Sequence, residues 1–228
     1  MDLANIGHTL SVWFLPVILA ITFHEAAHGW VAERFGDNTA RLLGRVTFNP
    51  IKHVDPFGTL MLPGLLLLLQ APFLFGYAKP VPVDFRRLKN PKRDMIWVAL
   101  AGPAVNIALA LASALALRAA VYLPTEIAAW VGQNLVNSII INIVLAVFNM
   151  LPLPPLDGGR VVTGLLPQPY AWRFAQIERY GLLILIGLLF LVPFAAETMG
   201  LQFNPIAAVL WPPIQAIYDL IITVTGLT

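Results

Sequence analysis

Long apolar runs separated by short polar intervals dominate this chain, and the runs have the length of membrane helices. At the ~20 residues needed to cross a bilayer, they predict spans at about 8–33, 95–118, 135–153 and 181–201, with further apolar segments at 57–76 and 205–226. The polar intervals 34–56, 77–94, 119–134 and 154–180 are each too short for an independent folded module. The expectation is an all-α polytopic membrane protein of about five to six membrane segments, a single domain over 1–228. Its core would occupy about 8–165 and its C-terminal membrane segments about 181–226.

Three segments depart from a plain spanning pattern. Residues 57–76 are flanked by basic intervals and broken by Gly58, Pro63, Gly64 and Pro72, which predicts a re-entrant or interfacial segment. Tyr77 to Val83 alternates proline with valine and reads as a short β element on the same side. Pro80 and Pro82 lack donors, so the N–H groups of Val81 and Val83 would form the edge open to another strand. The Trp211-Pro212-Pro213 break predicts that part of 205–226 lies in the interface.

Composition removes the soluble alternatives. Apolar residues make up 58% and charged residues 11%, against about 25% charged in an ordinary soluble domain. The mean hydropathy is +0.77, so the expected partner is the lipid bilayer. A net charge of +2 gives no reason to expect nucleic acid. There is no cysteine, so a metal would have to be held by histidines and carboxylates. The first charge is Asp2 and no Lys or Arg precedes Arg34, so the first span is expected to be retained and not cleaved as a signal.

The basic residues set an orientation. Arg34, Arg41, Arg45 and Lys52 fall in one interval, Lys79, Arg86, Arg87, Lys89, Lys92 and Arg93 in a second, and Arg160, Arg173 and Arg179 in a third; only Arg118 lies elsewhere. The positive-inside bias then places these three intervals on the cytoplasmic face of the cell membrane, with the N-terminus and 119–134 outside. His53 lies in the first of these intervals and reads as a solvated loop residue.

Candidate chemistry sits inside the first span. His24-Glu25-Ala26-Ala27-His28 is an H-E-x-x-H motif. At about 100° per residue, both imidazoles share one helix face and can reach a single Zn²⁺, with Glu25 beside them to take a proton from water. Shuffling this composition yields about 0.001 such matches, and three ionisable groups so close in a membrane helix are costly enough to imply function. A catalytic zinc needs a third protein ligand and an open fourth position. Asp157 is the candidate: Pro152, Pro154 and Pro155 end regular helix before it, Gly158 and Gly159 permit close approach after it, and the charge bias brings it to the depth of His24 and His28.

H-E-x-x-H in one membrane helix, followed by Asn149-Met150-Leu151-Pro152-Leu153-Pro154-Pro155-Leu156-Asp157-Gly158, resembles the site-2 protease family of intramembrane zinc metalloproteases. Ala101-Gly102-Pro103-Ala104-Val105-Asn106 is similar to the family's A-G-P-x-x-N stretch, and 44–58 with 76–83 is similar to its compact members, so the resemblance covers about 10–165. It implies a three-helix core carrying His24, Glu25, His28 and Asp157 around one Zn²⁺ per chain, with Asn149 on the substrate backbone. It also implies regulated cleavage of membrane-spanning, single-pass substrates. Asn106 would be a second amide at the substrate, and Val81 and Val83 the edge to which an unwound substrate adds. Many relatives carry an inserted PDZ domain, for which the intervals here leave no room. The alternative is a membrane permease or metal-ion transporter using the same His/Asp cluster, with Glu25 as the discriminator.

Overall fold

The computed structural model describes residues 3–61, 64–65, 68, 76–201 and 203–227. Its main helices are α1 (Leu3–Arg34), α2 (Pro91–Ala119), α3 (Thr125–Asn149), the short α4 (Asp157–Leu165), α5 (Glu178–Thr198) and α6 (Pro205–Thr225). Among the described residues five segments are long and apolar enough to cross a membrane: Gly7–Arg34, Pro91–Tyr122, Ile127–Asn149, Glu178–Thr198 and Pro205–Thr225. The chain is an all-α polytopic membrane protein.

Helices α1, α2 and α3 pack on one another, α4 docks on α2, and α6 lies against α2 and α3. Small residues allow close approach where lipid supplies no hydrophobic drive between helices: Ala110 and Ala114 of α2 meet Ile139 and Ile143 of α3 and Ile221 of α6. At the other end of the bundle Ala32, Leu88 and Val98 form a second cluster, joined by Val83 and Phe85. This end holds the last turns of α1, the start of α2 and the end of α3.

The third span differs from expectation. It begins at Thr125, not near 135, because polar residues that suggested a loop are satisfied by α1. Gln133 bonds His8 at 2.8 Å, Asn137 Nδ2 donates to the Val12 carbonyl at 3.0 Å, and Trp130 Nε1 donates to Ser11 Oγ at 3.1 Å. Residues 205–226, expected to break at Pro212-Pro213, form the continuous α6; Asn204 accepts from the Ala207 N–H at its start and Gly226 takes the left-handed conformation (φ 64°) after its last turn. The re-entrant segment expected at 57–76 lies largely outside the described residues, which include a π turn at Pro56–Met61.

The β element expected at 77–83 is also corrected. Among the described residues there is no β-strand, and this stretch belongs to no helix either. Side chains and two loop carbonyls, those of His53 and Gly58, hold it in place of a neighbouring strand. Arg45 Nη2 donates to the carbonyls of Lys79 (2.6 Å) and Pro80 (3.4 Å), the Lys79 N–H donates to the His53 carbonyl (2.9 Å), and the Asp84 N–H donates to Asp37 Oδ2 (2.7 Å). Pro80 and Pro82 leave too few donors for a ladder. Just beyond, Arg86 donates to Asp84 at 3.0 and 3.1 Å, and that pairing holds the Asp84 carboxyl below the ordinary carboxylate value. His53, expected to be solvated, is 2% exposed and bonds the Thr47 carbonyl at 3.0 Å through Nε2.

Candidate metal centre

The helical repeat of α1 puts His24 and His28 one turn apart, both facing inward and buried. Asp157 reaches them from another element. After α3 ends, 150–156 turn back through three prolines, and α4 begins with Asp157 itself. Gly158 makes the return possible, since a side chain there would collide with the backbone of Met150 and Leu151. Three atoms converge: His24 Nε2 and His28 Nε2 are 3.0 Å apart, and Asp157 Oδ2 lies 3.2 and 3.3 Å from them.

Hydrogen bonds behind the rings decide what these atoms are. The His28 Nδ1 sits 2.7 Å from the Val98 carbonyl, an acceptor only, so Nδ1 carries the proton. The His24 Nδ1 sits 2.6 Å from Asn106 Oδ1, and the Asn106 amide is itself oriented, because its Nδ2 donates to Asn142 Oδ1 at 2.7 Å and to the Ala20 carbonyl at 3.2 Å. In this tautomer both Nε2 atoms present lone pairs to each other and to a carboxylate oxygen that has no hydrogen-bond partner among the described residues. Three electron-pair donors so close repel unless a cation lies among them. Tetrahedral ligands about 2.0–2.1 Å from zinc stand about 3.3 Å from one another, which these separations approach. The three side chains together could hold a metal ion.

Space for the site comes from α2. A Cβ on Gly102 would stand 2.5 Å from both His24 Cε1 and His28 Nε2, so only glycine fits. Beyond the ligands, a polar ladder crosses the bundle. It continues from Asn106 to Asn142, whose Nδ2 donates to the Ser138 carbonyl at 2.9 Å, and Ser138 Oγ meets Ser113 Oγ at 2.8 Å.

The profile of peptidase family M50 matches residues 12–138 and 119–192. This chain belongs to peptidase family M50, the site-2 proteases. The M50 peptidase is 39% identical over 212 residues to "Putative zinc metalloprotease YwhC" of Bacillus subtilis, covering 91% of this chain and 88% of that protein. It is 31% identical over 173 residues to "Putative zinc metalloprotease Rip2" of Mycolicibacterium smegmatis, covering 75% of this chain and 64% of that one. To "Putative zinc metalloprotease MJ0611" of Methanocaldococcus jannaschii it is 30% identical over 166 residues, covering 71% and 73%. No solved structure matches it.

Within this M50 peptidase the other anticipated residues have distinct places. Glu25 is half-buried, and its Oε2 accepts the Val81 N–H at 2.6 Å; the strand edge expected to be open at Val81 is therefore engaged by the chain itself. Val83 packs in the cluster of Ala32, Leu88 and Val98. Asn149 ends α3 half-buried, its Nδ2 donating to the Leu145 carbonyl at 2.9 Å. Asn106, anticipated at the substrate, is fully buried behind His24. Sequence reasoning missed Arg45, Asp37 and Asn142. Asn142 had a signal, lying seven residues and so two turns before Asn149, whereas Arg45 was indistinguishable from the solvated cations around it.

Proposed function

We propose that this M50 peptidase is an intramembrane zinc metalloprotease acting in regulated intramembrane proteolysis. It hydrolyses peptide bonds within or near the transmembrane segments of single-pass membrane proteins, from a site toward the cytoplasmic side of the cell membrane. The observation that carries the reading is the convergence of His24 Nε2, His28 Nε2 and Asp157 Oδ2 with both imidazole protons committed elsewhere. The names of the relatives support zinc, and thirteen of the fourteen basic residues at one end of the bundle support the orientation. The unit is a single domain over 1–228.

His24, His28 and Asp157 would hold one Zn²⁺, leaving a fourth position open. When bound, zinc supplies a Lewis acid for the scissile carbonyl and lowers the pKa of water toward about 7. Glu25 is the general base: it takes the proton of the attacking water and passes it to the leaving amine. Asn106 acts through His24 by keeping its proton on Nδ1, which leaves Nε2 for the metal. Asn149 offers its amide to the substrate backbone from the end of α3, and Val81 and Val83 belong to the wall along which an unwound segment lies.

The test co-expresses the wild type and Glu25→Gln with single-pass membrane proteins and surveys membrane fragments. The wild type yields intramembrane fragments; Glu25→Gln keeps stoichiometric zinc and loses at least about 100-fold of the cleavage, since a positioned base contributes 10²–10⁴-fold. Zinc-loaded wild type that releases no fragment from any candidate while both proteins carry metal ions across a vesicle membrane would replace this reading with transport.

A further inference from the structure

We propose that Arg45 is a positioning residue for Glu25, holding the Pro80–Val81 peptide against the base. The inference rests on the protease reading above for what Glu25 does, and on independent geometry for how Arg45 reaches it. Arg45 is only 7% exposed, and no carboxylate among the described residues lies within ion-pair distance of it. A buried cation without a counter-charge is costly unless hydrogen bonds replace its water. Its Nη2 finds two carbonyls, Lys79 O and Pro80 O, while Nε has no partner among the described residues.

The Pro80 carbonyl and the Val81 N–H are two ends of one peptide group. Arg45 therefore grips the oxygen side of the unit whose nitrogen side donates to Glu25 Oε2 at 2.6 Å. Cation, peptide dipole and carboxylate stand in line, an order in which each hydrogen bond polarises the next. The Val81 side chain is seated in the same way. A Cβ on Gly29, the residue after His28, would lie 3.0 Å from Val81 Cγ1 and 3.0 Å from Val46 Cγ2, so the glycine admits both the segment and the loop that carries Arg45. Without the guanidinium, nothing else described here holds the carbonyls of residues 79 and 80, and the amide that orients the base is free to drift.

Two readouts test this on the full-length, zinc-loaded protein. The first is independent of cleavage. Because Pro80 and Pro82 have no amide proton, hydrogen exchange between Lys79 and Val83 reports on Val81 almost alone. Arg45→Met speeds exchange at Val81 by about tenfold or more, as does Glu25→Ala; exchange unchanged in Arg45→Met overturns the proposal whether or not a substrate is cleaved. The second uses a substrate cut by the wild type. Arg45→Met lowers kcat by about 10- to 100-fold, the cost of a misplaced catalytic group, with KM within about twofold and zinc content unchanged. Arg45→Lys recovers part of kcat, since its ammonium keeps the charge and the donors but sits on a shorter side chain that stops short of the Nη2 position. Arg41→Ala, which removes an exposed cation paired with Glu33 in the same loop, leaves kcat unchanged. A rise in KM at constant kcat would assign Arg45 to substrate binding and overturn its role at the base. If Arg45→Met fails to fold, Arg45→Lys decides: zinc-loaded protein with wild-type kcat and wild-type exchange at Val81 refutes the proposal. Failure of the wild type to cleave any substrate would count against the protease reading, with the exchange result still standing for Arg45.

Discussion

Single atoms govern the candidate metal centre. Gly102→Ala puts a methyl group 2.5 Å from both imidazoles, so we expect a chain that keeps its helical circular dichroism and loses stoichiometric zinc in elemental analysis. Asn142 touches neither metal ligand, yet it fixes which way the Asn106 amide faces and thereby which nitrogen of His24 is protonated. Asn142→Leu is expected to weaken zinc binding about 10- to 100-fold, the usual consequence of removing an outer-shell partner, measured by competition with a chelator. The H-E-x-x-H motif was legible because helix geometry alone brings residues four apart together. Asp157 was legible because its prolines and glycines break the pattern at membrane depth. Arg45 was not, since nothing local marks a cation whose partners lie about 35 residues away.

At the scale of elements, α2 is the central post: α1, α3 and α4 all lean on it, and it contributes Val98, Gly102 and Asn106 to the surroundings of the histidines. The existence of the five long helices was readable from apolar run length. The start of α3 was not, because Gln133 and Asn137 look like loop residues until α1 is alongside to receive them. Such contacts are worth little individually, on average about 0.6 kcal/mol in membrane helices. Asn137→Leu should thus lower the thermal unfolding midpoint only slightly and leave zinc content intact. The strand expected at 77–83 fails for the converse reason: alternation describes its extended course, but its backbone bonds the side chains of Arg45 and Glu25 and isolated carbonyls of Gly58 and His53 in place of a second strand.

Across the whole molecule, the helices differ in how deeply they are embedded in protein. The most apolar stretches of α1 and α2 are each 33% buried, that of α5 17% and that of α6 11%, so the last two face mostly outward. The candidate ligands and the polar ladder lie in the better-buried trio of α1, α2 and α3 and in the turn that follows it. The absence of cysteine makes the orientation testable without background. In sealed cells a single cysteine at the exposed Lys89 should resist an impermeant thiol reagent, and one at Tyr122, 86% exposed at the opposite end of α2, should react; the reverse pattern would invert the topology.

The split origin of the ligands has a consequence for the life of the chain before it is finished. His24 and His28 enter the membrane with the first helix, whereas Asp157 is made only after the third, and Gly102 and Asn106 arrive between them. A ribosome-bound chain thus carries only two of the three candidate donors throughout most of its insertion, with no packed post to orient the rings. The candidate centre is completed only when the bundle closes, so the peptidase is made in a form that lacks its full set of donors.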